Sequence, residues 1–248
     1  MKFQPLTWKC ERGNDHVVIK TTFEQQDIAA AMVVADAKVN YINVHSPGGI
    51  QRHPTVIRNR IIAGKLADAA VCRLIRHRIK ASNLEQMFSV SEYDAVRTDG
   101  FQYADPYDLE LLRHGQPEAE TIEVRSSFSY RLAPVENIVK KLSIYGWYTS
   151  YNKPVEPPRD WYWQVIYYLR PQDCPQDGGP SVGIFEEELD RGEVIAYVVG
   201  GASRALLQAT GVTRKDQDEA YYQAITPICD GFDYWGMVKA MFGVSKPI

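Results

Sequence analysis

From Thr55 to about Ile79, Val56, Ile57, Ile61, Leu66, Ala70, Leu74 and Ile75 recur at helical spacing, and Pro54 suits a first helical turn. A helix of that length with an apolar side has to bury it against a second layer. The residues that follow provide one. Three β-like runs come in quick succession: Tyr93 to Thr98 (YDAVRT), Tyr107 to Leu112 (YDLELL) and Thr121 to Phe128 (TIEVRSSF). Turn formers separate them, Asp99-Gly100 and then His114 to Pro117, so an antiparallel meander is the simplest connection. A second helix is predicted from Pro134 to about Tyr145, an aromatic strand from Trp161 to Leu169, a buried strand from Glu193 to Val199, and a short helix from Ser203 to Ala209. Helices and strands mixed in this order predict an α/β (α+β) fold.

The predicted core domain spans 51–210. Residues 1–50 read as a β-rich N-terminal extension, with His16 to Thr22 as one run and Ala29 to Val34 as a second that its alanines make equally compatible with a helix. Residues 211–248 form an apolar C-terminal segment, expected to pack on the core or at a homodimer interface. With 248 residues, 45% of them hydrophobic, the chain can bury one sizeable core or two small ones, which excludes disordered and fibrous classes. No run approaches the roughly 18 apolar residues of a membrane helix, and the start MKFQPLTWKCERGNDH lacks a secretory apolar block, so a cytoplasmic protein without a membrane partner is expected. Cys10, Cys72, Cys174 and Cys229 are scattered, with neither zinc-ribbon nor redox-dithiol spacing. They are expected to be buried free thiols.

Net charge is −3, yet between Gln51 and Lys80 eight bases face one acid, Asp68. Positive charge concentrated on one segment can hold an anion despite a negative total. Arg58, Arg60, Lys65, Arg73 and Arg76 are therefore the candidates for phosphate-backbone contacts, which supply affinity without sequence choice.

Side chains two apart on a strand share a face. Asp108 and Glu110 thus project together, away from Leu109 and Leu111, and Glu123, Arg125 and Ser127 project away from Ile122 and Val124. If the two strands pair through the His114 to Pro117 turn, their acids approach on one sheet. Crowded carboxylates repel, and a divalent cation relieves that repulsion.

The pattern DPYDLELL followed by IEVRSS, preceded by the helix NRIIAGKLADAAVCRLI, resembles the PD-(D/E)XK nuclease superfamily, which includes many restriction endonucleases. The resemblance covers about Thr55 to Leu169. It implies a restriction-endonuclease-like mixed central sheet flanked by helices, and Mg²⁺-dependent endonuclease cleavage of DNA, with Mn²⁺ as a substitute ion, in restriction or defence. Carried over by position, Asp108 and Glu123 are metal ligands, Asp68 is the assisting acid on the helix, and Arg125 stands where the family has its catalytic Lys. Arginine keeps its charge and cannot exchange a proton with water. Three readings therefore stay open: Arg125 acts only electrostatically, Lys140 or Lys141 enters the site, or the chain is a non-catalytic DNA-binding protein that retains the fold. Asp105, next to Pro106, is the other candidate partner of Glu123; Asp108 has the better spacing and apolar neighbours.

The aromatics between Tyr145 and Tyr168 are read as sheet and core packing before base stacking. No histidine pair has zinc-ligand spacing, Ser126 and Ser127 lack a nucleophile-elbow motif, and Gly200-Gly201 is read as a tight turn.

Overall fold

The computed structural model describes residues 1–45, 49, 51–129, 132–149, 155–169, 182–215 and 220–244. Strands β1 (Lys2–Lys9) and β2 (Asp15–Phe23) form a hairpin that leads into α1 (Gln25–Lys38). Glu24 and Asp27 form a reciprocal capping box at the start of α1. The long helix is α2 (Pro54–Ala81), with Pro54 in its first turn and His53 accepting from the Thr55 N–H. Then come β3 (Phe88–Glu92), the single turn α3 (Tyr93–Val96), β4 (Leu109–Arg113), β5 (Glu120–Ser129), α4 (Asn137–Lys141), β6 (Ile144–Thr149) and β7 (Trp161–Tyr168). The chain continues through α5 (Val182–Arg191), β8 (Val194–Ser203), α6 (Arg204–Thr210), β9 (Val212–Lys215), β10 (Tyr221–Ile225) and α7 (Tyr234–Phe242).

Among the described residues the strands form a seven-stranded sheet, ordered β1-β2-β8-β7-β5-β4-β3, and a three-stranded one, β6-β10-β9. The larger sheet is mixed, because β5 and β7 run parallel while its other neighbours are antiparallel. The protein is therefore an α+β fold. Helices α1, α2, α5 and α7 cover one face of the large sheet, where Leu66, Leu109, Ile122, Trp163 and Phe185 are all buried. On the other face α4, α6, β6 and the 3-10 turn Ile228–Asp230 pack over Val18, Tyr162, Ile166 and Val199. The alternation of Tyr162 and Trp163 between the two cores follows the two-residue period of a strand. The Tyr167 hydroxyl donates to the Ala63 carbonyl at 2.6 Å, tying β7 to α2.

Several expectations need correction. Residues 29–34 belong to helix α1, and Tyr93 to Thr98 is not a strand: β3 ends at Glu92. The cause is Arg97, whose guanidinium binds Asp94, Asp99, Asp105 and the Tyr103 carbonyl, drawing the chain into a compact loop. The helix expected from Pro134 to Tyr145 stops at Lys141, and Ile144 opens β6, since IYGWYT alternates and pairs with β10. Gly200 and Gly201 lie inside β8, at the point where its register with β7 shifts. A Cβ on Gly200 (φ +100°) would sit 2.0 Å from the Phe232 carbonyl oxygen, and one on Gly201 1.9 Å from that of Tyr162, so only glycine fits this close backbone approach. The cysteine expectation fails as well: Cys10 and Cys229 form a disulfide with Cα atoms 6.0 Å apart, while Cys72 is a buried free thiol. Cys174 lies outside the described residues. Residues 1–50 supply β1, β2 and α1 to the main body, and 211–244 supply β9, β10 and α7, which packs on β8 and β2. No helix among the described residues is long and apolar enough to cross a membrane.

Gly201→Ala has no room to relax, because the obstructing atom is backbone of a central strand. It should cost about 3 kcal/mol or more, measured as a shift in the urea unfolding midpoint; a loss below about 1 kcal/mol would contradict this account.

Candidate functional site

Strand β4 pairs with β5 in the register Leu109↔Ile122, with Asp108 just before the first residue of β4 and Glu123 next to Ile122 on β5. The Asp108 N–H donates to the Ile122 carbonyl at 3.2 Å, one residue out of that register, and its carbonyl accepts from the Tyr93 N–H at 2.9 Å. The Asp108 carboxylate accepts from the Val124 N–H at 2.8 Å, which fixes its direction. Asp108 and Asp105 both line the same cleft as Glu123. Helix α2 crosses this edge and brings Asp68 and Lys65 to it. Asp68 is 2% exposed, whereas Asp108 and Glu123 keep a partial opening.

All three acids line one cleft of about 250 Å³. Asp105 joins them there, and Lys38, Arg52, Arg60 and Lys65 supply the opposite charge. The Lys65 ammonium lies 2.7 Å from both Asp68 and Asp94. Lys38 pairs with Asp105, which also accepts from Arg97 at 2.5 Å. Glu123 meets Arg125 at 3.1 Å and Arg159 at 3.7 Å. Arg125 is largely directed elsewhere: it pairs with Glu156, donates to the Gly146 carbonyl at 3.1 Å, and lies over the rings of Tyr148 and Tyr222.

Burial and the neighbouring Asp108 push the Asp68 carboxyl up to about 8 against the pull of Lys65. Burial, and then Asp108, also raises Glu123 well above the usual carboxylate range. Asp108 is raised by burial, with Lys65 and the Val124 N–H opposing. Burial works to lower Lys65, but Asp68, Asp108 and Asp94 outweigh it and hold the ammonium charged. Burial thus opposes the charged form of all three carboxyls. Such a set of oxygen donors can hold a hard divalent cation.

The basic residues of α2 do not form one continuous face. Arg58 is paired with Asp36 at 2.6 Å, Arg73 reaches Asp27 at 3.5 Å, and Arg76 donates to the Val90 carbonyl at 3.2 Å. Of the five residues expected to contact phosphate, Arg60 and Lys65 line the cleft. Lys140 and Lys141 lie on α4, and Lys141 borders a different cavity with Ser127 and Arg214. Sequence reasoning placed Lys65 among the phosphate contacts and missed its position between the acids, although its three-residue spacing from Asp68 carries that signal. Asp94, Glu156 and Arg159 were missed altogether, because only long-range folding brings them near. Among the described residues, the trio of His, Cys, Asp and Glu ligand atoms within 4.8 Å of one another is Cys10, His16 and Cys229; the three acids of the cleft stand farther apart than that.

Because the folded chain retains the Asp68 proton that the unfolded chain releases near pH 4, stability should fall as pH rises from about 4 toward 8. The slope from this group is about 1.4 kcal/mol per pH unit. Thermal unfolding in EDTA across that range should show a shallower slope for Asp68→Asn; equal slopes would refute the assignment.

Comparison with protein-family models, curated proteins and solved structures found no significant match to this chain.

Proposed function

We propose that the chain is a Mg²⁺-dependent endonuclease of the PD-(D/E)XK type that hydrolyses DNA phosphodiester bonds, acting in the cytoplasm in restriction or defence. The observation that carries this reading is that Asp108 and Glu123 line one cleft with Asp68 and Lys65 of the helix. The donor chemistry suits a hard cation, being oxygen only with Asp108 and Glu123 open to the cleft, and an ion would have to draw the three carboxylates closer than they stand. Asp108 and Glu123 would hold the ion, with Asp68 behind them. A bound Mg²⁺ supplies charge neutralisation at the phosphate and a more acidic water.

The chain's own groups have separable tasks. Val124 N–H and the strand ladder hold the Asp108 carboxylate in place. Arg125 and Arg159 orient Glu123 and offset its charge, so Arg125 serves as a positioning residue more than as a phosphate ligand. Lys65 is the ammonium nearest the acids and can donate to a phosphate oxygen or to water at the cleft. Arg52 and Arg60 border the same cleft and suit a phosphate backbone entering it. A two-fold homodimer would suit cleavage of both strands of a symmetric site.

The second reading, a non-catalytic DNA-binding protein, draws on the engagement of Arg125 by Glu156, which leaves the motif position without a proton-exchanging amine. Incubation of supercoiled plasmid with wild type and Glu123→Gln in Mg²⁺, Mn²⁺ and EDTA separates the two. Cleavage by the wild type with Mg²⁺, reduced at least about 100-fold in the variant and abolished by EDTA, is the expected result. DNA retention without cleavage in either metal would favour the second reading. Equal cleavage by wild type and variant would remove Glu123 from the site.

A further inference from the structure

We infer that the Cys10–Cys229 disulfide is the oxidised form of a Cys₂His cation site completed by His16, suited to a borderline-soft divalent ion such as Zn²⁺. The three side chains come from distant parts of the sequence. Cys10 follows β1, His16 lies in β2, and Cys229 sits in the 3-10 turn Ile228–Asp230. Their ligand atoms nevertheless lie within 4.8 Å of one another. The hairpin turn causes part of this: Cys10 N–H donates to the Asn14 carbonyl and Gly13 N–H to that of Cys10, both at 2.9 Å, while Trp8 faces His16 across the ladder. Cys10 and His16 therefore project toward the same side of the hairpin.

His16 is 2% exposed, and its Nε2 is 2.8 Å from the Val199 carbonyl oxygen. A carbonyl can only accept, so Nε2 carries the proton and Nδ1 keeps its lone pair. A metal-binding histidine is commonly oriented this way, with one nitrogen donating to a backbone carbonyl and the other free to ligate. The nearby Asp233 is already committed, accepting from the Val17 N–H at 3.0 Å and the Gly236 N–H at 2.7 Å. The donor set is thus two sulfurs and one nitrogen with no carboxylate, which favours Zn²⁺ over Mg²⁺. Two Zn–S bonds of about 2.3 Å at a tetrahedral angle set sulfurs roughly 3.8 Å apart. Cα atoms separated by 6.0 Å allow this by side-chain rotation, with the backbone left where it is.

The two states exclude each other, because each sulfur spends its bonding pair on either its partner or the ion. A dithiol reductant converts the bridge to two thiols and itself becomes a cyclic disulfide. Ion binding then releases the two thiol protons, so reduction opens the site and oxidation closes it. Either state ties the β1–β2 hairpin to the C-terminal part of the chain. The inference is independent of the acid-lined cleft and of its proposed activity.

The test uses the full chain carrying Cys72→Ser and Cys174→Ser, reduced and freed of reductant under anaerobic conditions, then titrated with Co²⁺. One equivalent should bind with a thiolate-to-cobalt charge-transfer band and tetrahedral d–d absorption, and Zn²⁺ should displace it. The oxidised protein should show neither band. His16→Gln should weaken Co²⁺ binding at least about 10-fold, and Cys229→Ser, at a half-buried position that tolerates change better, should abolish the charge-transfer intensity expected for two thiolates. Reduced protein that takes up no more Co²⁺ than Cys229→Ser, or a folded His16→Gln with unchanged affinity and spectrum, would overturn the inference. If His16→Gln does not fold, the comparison of reduced, oxidised and Cys229→Ser proteins decides it.

Discussion

The register between β4 and β5 is the constraint on which the cleft depends. A slip of one residue would carry Leu109 and Leu111 out of the core, where both are fully buried, and turn Glu110 into it. The apolar side of the strands thus fixes their alignment, and that alignment brings Asp108, just before β4, and Glu123, on β5, to the same cleft as a by-product. Nothing at the carboxylates favours their meeting; Asp108 raises the proton affinity of Glu123. The energy that holds them together comes from Leu109, Leu111, Ile122 and Val124 packed under α2, together with the hydrogen bond from Val124 N–H to Asp108. A charged site of this kind is maintained by the core beneath it.

The same logic explains the basic helix. α2 packs against α1, β3 and β5 and is buried along most of its length, so its bases emerge on different sides and meet different acids. Asp27 and Asp36 of α1 take Arg73 and Arg58, and Arg78 is spent over the Trp235 ring at 4.3 Å. At the cleft itself stand Lys65 and Arg60 of the helix, with Arg52 from the segment just before it and Lys38 from α1. The net charge of the segment overstates the field it presents, because the counter-charges lie elsewhere in the sequence.

The elements carrying the site were legible in sequence for this reason. YDLELL and TIEVRSSF alternate cleanly because one side of each is core, and the helical period from Val56 to Ile75 is strong because α2 has a sheet beneath it. From these periods Asp108 and Glu123 could be placed on the polar sides of their strands, whereas Asp68 was placed only by the family resemblance. Features set by long-range contact could not. The loop folded around Arg97, the strand at Ile144 created by pairing with β10, the glycine bulge facing Phe232 and the disulfide across 219 residues all depend on partners that local pattern does not encode. Spacing rules for cysteine detect ligands or bridges close in sequence, and Cys10 and Cys229 meet only because the terminal segments close on the same edge of the fold.

Arg125 shows how the choice of one cation over another sets what a position can hold together. A lysine there would place a compact ammonium at the end of a flexible stem. The guanidinium instead spans three partners at once: Glu123 on its own strand, Glu156 in the segment leading to β7, and the Gly146 carbonyl in the small sheet. It is flanked by the rings of Tyr148 and Tyr222, which belong to two paired strands of that sheet. Arg125 therefore links the orientation of Glu123 to the seating of β6 and β10 on the large sheet. Glu156 reinforces the link by accepting from the Tyr148 N–H at 3.1 Å as well. With Arg125 engaged in that connection, the ammoniums at the cleft are those of Lys65, between Asp68 and Asp94, and of Lys38, paired with Asp105.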